Sequence, residues 1–190
     1  MRTRANLLTR GAEKLIHITA ILTFMQAAPF LVPYVPGKIW LCEYPVRLAG
    51  TKFGARMTVI RLASGELILH SPCKMTPEIA KEISALGKVA HIVAPGNFHH
   101  LFVASAQAAF PHAKTWICPG VEKRDPSLKY DGVLGDEPST EWASEIDQVL
   151  VQGTRIMREV AMFHRASRTL ILVDLIENFT DATPNIGGAL

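Results

Sequence analysis

The chain has 190 residues, with 20 Lys and Arg against 17 Asp and Glu and a formal net charge of +3. Residues 1–14 hold four of the basic residues and one of the acidic residues, so the remaining 176 residues carry 16 of each sign. Because a nucleic-acid-binding domain needs a basic excess on its folded surface, this neutral body excludes nucleic acid as an expected partner. The hydrophobic content of 48% and the charged content of 19% are typical of a folded domain with a sizeable core.

An apolar stretch follows the basic start. Residues 15–35 contain no Asp, Glu, Lys or Arg, but Pro29 and Pro33 limit an unbroken helix to 15–28, which is short for a membrane span. We interpret residues 1–35 as a separate extension: a leader, an interfacial helix or an anchor, or else a segment that packs on the domain or stays disordered. Membrane association is one of these interpretations, and a cytoplasmic or membrane-associated location is favoured over secretion.

Residues 36–180 are predicted to form one α/β (α+β) domain, and residues 181–190 an irregular tail. In chain order, the predicted elements are strands 57–62 and 67–70, a helix at 77–86, strand 89–94, a helix at 100–110, strand 114–118, a loop at 122–142 and strands 146–151, 157–163 and 169–175. The first two strands and the last two strands are each predicted to pair as a hairpin.

The helix at 77–86 has the clearest end signals in the chain. Thr76 is a preferred N-cap residue, Pro77 suits the first helical position and Gly87 follows the last turn. The strand that follows, at 89–94, is almost wholly apolar, which predicts a strand buried on both faces and paired in parallel.

Two adjacent histidines follow this buried strand. The run 92–100 reads IVAPGNFHH and places His99 and His100 where the strand leaves the sheet. Ligands bind in α/β sheets beyond the carboxyl ends of parallel strands, and neutral imidazoles there are good ligands for Zn or Fe. The alternative is that one histidine caps the next helix and the other packs.

A carboxylate ends the last predicted strand. The run 170–174 reads LILVD, and Asp174 in this apolar setting requires a hydrogen bond, an ion pair or a metal ion. The alternative to a functional role is that Asp174 accepts the backbone N–H groups of the next turn, at Glu177 and Asn178.

Four runs in this order resemble a known family. They are RMTVIRL at 56–62, HSP at 70–72, IVAP at 92–95 with HHLF at 99–102, and FHRASRTLI at 163–171 with Asp174. Together they resemble family 4336 of the domains of unknown function, within the metallo-β-lactamase-like superfamily, over residues 35–179. The resemblance implies an αββα sandwich with a dinuclear metal site at one edge of its two sheets, and it implies no specific reaction.

Only part of the superfamily's metal motif is present. The pattern His-x-His-x-Asp-His falls on Pro95, Asn97, His99 and His100, so the first two ligand positions hold a residue that cannot ligate through its side chain and one that does so poorly. His100 matches the last position, and Asp174 matches the Asp that bridges two metal ions. The third His of the superfamily would fall near 153–155, where there is none.

The resemblance therefore implies a reduced metal site. His99, His100 and Asp174 are the candidate ligands, with Asn97 as a weak substitute. His70 stands where the superfamily has a supporting Asp at a strand end, so it is a candidate to support or to replace a ligand.

The last hairpin gives one further candidate. If Phe163 pairs with Thr169, Asp174 lies opposite Arg158 and beside Glu159, which makes Glu159 a candidate partner of Asp174. His164 then lies at the turn, about 17 Å from Asp174, and cannot share a metal with it.

Two functional hypotheses follow. The first is a metallo-β-lactamase-like domain with a degenerate metal site and no catalytic role, or a binding role for an unidentified small molecule. The alternative is a hydrolase with a single Zn or Fe ion that activates water toward an ester, amide or phosphoester. The expected cofactor is accordingly none or one such ion.

Since residues 180–190 show no strand or helix pattern, we expect the closing elements of the sandwich to be missing or replaced by the N-terminal segment.

Overall fold

The computed structural model describes residues 30–48, 51–152 and 157–176. Most of the predicted extension, the irregular tail and the segment expected to lack closing elements lie outside these residues. Within the extension, Val32–Val35 forms a strand, so at least these residues belong to the folded domain. In the described part of the chain, the helices are all too short or too polar to cross a membrane.

Seven strands form the larger sheet, and they lie side by side in chain order. They are β1 (Val32–Val35), β2 (Ile39–Leu48), β3 (Thr51–Arg61), β4 (Leu67–His70), β5 (Val89–Ala94), β6 (Lys114–Ile117) and β7 (Gly132–Val133). Neighbours from β1 to β4 are antiparallel, and neighbours from β4 to β7 are parallel. The carboxyl ends of β4, β5 and β6 therefore meet at one edge.

Three antiparallel strands form the smaller sheet, with β9 at its centre. They are β8 (Ile146–Gln152), β9 (Arg158–His164) and β10 (Thr169–Ile171). Apolar side chains of both sheets form one buried core, which includes Ile92 and Val93 of β5 and Val160 and Met162 of β9. The two sheets thus pack face to face.

The described residues form three α-helices: α1 (Pro77–Leu86), α2 (Val103–Ala109) and α3 (Val121–Arg124). The signals for α1 are confirmed, because Thr76 accepts a hydrogen bond from the backbone N–H of Ile79 and Gly87 ends the helix. Ile79 and Ile83 are its buried residues, which fixes the face it turns to the core.

The helix predicted at 100–110 begins later, at Val103. The backbone N–H of Val103 bonds to the carbonyl of His100, which makes a tight turn before the helix rather than its first turn. His100 therefore does not cap or open α2, whose N-cap is Phe102.

Several strand predictions differ from the structure. Strands β1 and β2 were not predicted, and β3 begins at Thr51 rather than at residue 57. Strand β10 ends at Ile171 rather than at 175, because the backbone N–H groups of residues 173–175 bond to a side chain instead of a neighbouring strand. The predicted loop at 122–142 contains the last residues of α3 and the short strand β7.

Candidate functional site

Three segments meet where β4, β5 and β10 end. Ser71 follows β4, His99 lies in the turn after β5, and Asp174 follows β10. We call these three residues the edge site. They are far apart in sequence, so only the fold brings them together.

His99 links the other two members of the edge site. Its Nδ1 lies 2.6 Å from the Ser71 hydroxyl, and its Nε2 lies 2.9 Å from Oδ1 of Asp174. With a neutral ring beside an ionised carboxylate, Nε2 carries the ring proton and donates to Asp174, and Nδ1 accepts the hydrogen bond of the Ser71 hydroxyl. The side chains of His99 and Asp174 are 16% and 21% exposed, so solvent reaches this end of the site.

Ser71 has an unusual backbone conformation. Its φ is +56°, in the left-handed region that L-residues other than Asn and Asp seldom adopt, and its backbone N–H bonds to the carbonyl of Val93. Ser71 is only 1% exposed. Tyr44 contacts its side chain: burial raises the pKa of Tyr44 to about 12, and a hydrogen bond with Ser71 partly opposes that shift. This turn of the backbone places the Ser71 hydroxyl next to the ring of His99.

Glu159 positions Asp174. It is 1% exposed, and its carboxylate accepts the backbone N–H groups of Val173, Asp174 and Leu175 at 2.7 to 2.9 Å. A buried carboxylate that accepts three hydrogen bonds is well satisfied without a cation. The predicted proximity of Glu159 to Asp174 is therefore present, but both carboxylate oxygens are already engaged.

The predicted register of the last hairpin is wrong by one residue. Phe163 pairs with Leu170, and Thr169 pairs with His164. The turn between β9 and β10 is a short 3₁₀ helix, Arg165–Ser167, closed by Arg168 in the left-handed conformation, and this length sets the register. As a result, the register continued beyond β10 places Asp174 opposite Glu159 rather than opposite Arg158.

The loop after β5 pairs with β9 of the other sheet. The carbonyl of Pro95 accepts the N–H of Val160, Gly96 forms a bridge with Glu159, and the N–H of Asn97 donates to the carbonyl of Arg158. The Asn97 side chain in turn accepts the N–H of Arg158 at 3.4 Å. Pro95 and Asn97, the positions of the superfamily's first two metal ligands, are thus both hydrogen-bonded to β9.

The remaining predicted site residues, His70 and His100, are neutral. Burial, with a smaller contribution from His99, lowers the pKa of His70 to about 3, and burial also lowers the pKa of His100. In the described residues His70 Nε2, His100 Nδ1 and Asp174 Oδ2 are buried without a hydrogen-bond partner. The structure brings His99 and Asp174 into contact, and no hydrogen bond joins His100 to either of them in the described residues.

The superfamily's dinuclear centre does not fit this donor set. Pro95 offers no ligand atom, and both ring nitrogens of His99 are engaged within the protein. Across residues 30–48, 51–152 and 157–176, no group of three or more His, Cys, Asp or Glu side chains is arranged to hold a metal ion.

Ser71 was not among the residues predicted for the site. Its only sequence signal is its place in the run HSP, directly after a buried strand. Neither the left-handed turn nor the contact with His99, 28 residues further on, could be inferred from that run.

Comparisons with known proteins agree with this architecture. Residues 36–189 match the family model described as a domain of unknown function, DUF4336. No curated protein sequence matches the chain significantly.

Solved structures with a similar fold include three metallo-β-lactamases. The DIM-1 enzyme, from a crystal exposed to ceftazidime, is 11% identical at a TM-score of 0.59, over 74% of this chain and 67% of that one. The enzymes from Pontibacter korlensis and Hirschia baltica are 11% and 8% identical, both at a TM-score of 0.56, over 74% of this chain and 68% of theirs. At these identities the likeness shows the fold alone, and it confirms the predicted sandwich.

Proposed function

Since the chain belongs to the DUF4336 family and has the metallo-β-lactamase-like fold, we propose that it is a metal-independent member of this fold that binds a small polar molecule at the edge site. The observation that carries this proposal is the state of His99. Its two ring nitrogens are hydrogen-bonded to Ser71 and Asp174, whereas a ligating histidine must present one nitrogen to the metal.

The electrostatics of the edge support the same proposal. A dinuclear centre is usually surrounded by several carboxylates whose charge the metal ions neutralise. Here the carboxylate of Glu159 is stabilised by three backbone N–H groups, and burial lowers the pKa of His70 and of His100. Oδ2 of Asp174 has no partner in the described residues, and a neutral hydrogen-bond donor can satisfy it.

The site offers a polar ligand a defined set of groups. The hydroxyl of Ser71 and the ring of His99 form a hydrogen-bonded chain, and Oδ2 of Asp174 has no partner among the described residues. An unpaired buried oxygen favours a ligand that donates a hydrogen bond to it.

A hydrolase with one Zn or Fe ion is the second candidate. In the described residues Oδ2 of Asp174 and Nδ1 of His100 are each buried without a hydrogen-bond partner, so each is available as a ligand atom. Such an ion would lower the pKa of a bound water for attack on an ester, amide or phosphoester. This candidate requires a third donor in addition to these two.

Metal analysis distinguishes the two candidates. We expect the full chain, purified without chelator, to contain less than about 0.1 Zn or Fe per molecule, and its melting temperature to change by less than about 1 °C after chelation. Close to one ion per chain, lost in His100→Ala but kept in the exposed control His112→Ala, would support the hydrolase instead.

A further inference from the structure

We propose that the edge site is a serine nucleophile, a histidine base and a positioning carboxylate, which together hydrolyse small carboxylic esters without a metal ion. The inference rests on the proposed function, because it uses His99 in the hydrogen-bonded state that leaves no nitrogen for a metal.

The order of the contacts is the one that nucleophilic catalysis requires. The Ser71 hydroxyl lies within hydrogen-bond distance of an imidazole nitrogen, and the other nitrogen of that ring lies within the same reach of a carboxylate. Nδ1 faces the hydroxyl and Nε2 faces the carboxylate, and the chemistry needs only that one nitrogen accepts while the other donates. Asp174 fixes the tautomer in which Nδ1 is free to take the hydroxyl proton.

The backbone at Ser71 supports a functional role. A non-glycine residue at φ +56° is strained, and strain of this kind clusters at active sites because the surrounding structure must hold it. Ser71 also follows a strand directly, and a sharp turn after a strand is how other folds present a nucleophilic serine. Here the turn is fixed by the bond from the Ser71 N–H to the carbonyl of Val93.

The positioning carboxylate is itself held in place. Asp174 is part of the 173–175 turn, whose three backbone N–H groups are bound by the buried carboxylate of Glu159. The ring of His99 packs closely against Gly96, where a Cβ would lie 3.2 Å from its Cδ2. The three groups are therefore preorganised by strands of both sheets.

A second serine–histidine pair provides a control within the same chain. Ser167 Oγ lies 2.7 Å from His164 Nδ1, a distance that matches the first pair. In the described residues no carboxylate is hydrogen-bonded to His164, and Ser167 instead donates to Thr169. In the part of the chain that the structure describes, only the pair at the edge site has the third group.

The burial of Ser71 limits the substrate. Ser71 is 1% exposed, and the side chains of His99 and Asp174 beside it are 16% and 21% exposed. A nucleophile this buried favours short, unbranched acyl groups over bulky ones. We expect acetyl to butyryl esters to react faster than longer or branched esters.

The reaction proceeds in two balanced halves. Ser71 Oγ forms a bond to the carbonyl carbon, its proton passes to Nδ1 of His99, the bond from that carbon to the alkoxy oxygen breaks, and the alcohol leaves with the proton. Water then attacks the acyl-serine and gives one proton to Nδ1; the carboxylic acid leaves and Ser71 regains its proton.

An alkyl fluorophosphonate tests the nucleophile directly. Its phosphorus forms a bond to the serine oxygen, fluoride leaves and the hydroxyl proton ends on His99. The full chain is first treated with a chelator to remove metal ions and is then reacted with the fluorophosphonate. Peptide mapping should then find a single adduct, on Ser71. Ser71→Gly, which suits a positive φ and so keeps the fold, should lower the labelling rate by about 1000-fold or more. Ser167→Ala should leave it within about twofold.

The outcomes separate this proposal from the one on which it rests. The serine hydrolase is overturned if the metal-free, folded chain gives no adduct at Ser71. It is also overturned if Ser71→Gly is labelled, at other residues, as fast as the unaltered chain. Either result leaves metal-independent binding standing. A chain that retains stoichiometric Zn or Fe after purification overturns the metal-independent proposal itself.

Discussion

The two serine–histidine pairs of this protein have nearly the same hydrogen-bond length but different surroundings. Ser167 and His164 are three residues apart in the turn after β9, so a local turn is enough to bring them together. Ser71 and His99 are 28 residues apart and meet where two strands end. The contact at the turn stabilises a hairpin, whereas the contact at the edge is made by the whole fold.

The difference shows which features distinguish a candidate site from a structural contact. A short distance between a hydroxyl and an imidazole is shared by both pairs. The strained serine backbone and the carboxylate on the second ring nitrogen occur at Ser71 and His99. Four substitutions can break or sharpen this comparison.

The largest effect is expected from Asp174→Asn. An amide at this position donates as well as accepts, so it no longer fixes the tautomer in which Nδ1 of His99 accepts the hydroxyl proton. We expect kcat for ester hydrolysis to fall by about 1000-fold or more with KM nearly unchanged. Asp147→Asn, at an exposed carboxylate paired with Arg165, is the control and should leave kcat unchanged. An equal loss in both variants would contradict a positioning role.

Glu159→Gln should cost the most stability. The amide keeps the size of the side chain but turns N–H groups toward the backbone donors of residues 173–175. We expect the free energy of unfolding to fall by about 2–4 kcal/mol, as measured by urea denaturation. Exposed Glu137→Gln should change it by less than about 0.5 kcal/mol. A loss of similar size in both variants would show that the buried carboxylate does not hold this turn.

The buried His70 predicts a loss of stability in acid. Its pKa is lowered to about 3 by burial, so between that pH and about 6.5 the unfolded chain binds a proton that the folded chain does not. The stabilising contribution is fully present above about pH 6.5 and is lost as pH falls toward 3, at up to about 1.4 kcal/mol per pH unit.

His70→Gln should flatten that acid slope when unfolding is measured from pH 7 to pH 4, and His112→Gln should not. Burial also lowers the pKa of His164 at the second pair, so part of the slope remains in the first variant. An unchanged slope in His70→Gln would mean that His70 does not stay neutral in the folded protein.

The smallest effect is expected at the second pair. Ser167→Ala removes the hydrogen bonds of its hydroxyl to His164 and Thr169, and we expect a loss of about 1 kcal/mol in stability with ester hydrolysis unchanged. A loss of ester hydrolysis in Ser167→Ala would mean that the carboxylate on the second ring nitrogen does not distinguish the catalytic pair from the structural pair.

Sequence patterns predicted the framework better than the site. The capped helix α1 and the buried strand β5 depend on local signals, and both are present. Strand β1 was missed because it lies in the apolar stretch that suggested a leader, and β2, which directly follows that stretch, was missed with it. The fold was found through the family resemblance, whose four runs cover strands of both sheets.

The site could be predicted only in part, for a physical reason. Histidines after a buried strand and an Asp after an apolar strand signal an edge site, and His99 and Asp174 do meet there. The turn at Ser71, the loop from Pro95 to Asn97 that pairs with β9, and the one-residue change of register depend on contacts between distant segments. Periodicity and spacing carry no information on such contacts.

Hydrolysis of nitrophenyl butyrate by the chelator-stripped full chain, with and without added Zn²⁺, tests the central claim most directly. The account predicts measurable turnover that neither chelation nor Zn²⁺ changes by more than about twofold and that Ser71→Gly abolishes. Turnover that appears only when Zn²⁺ is added, or that persists in Ser71→Gly, would contradict it.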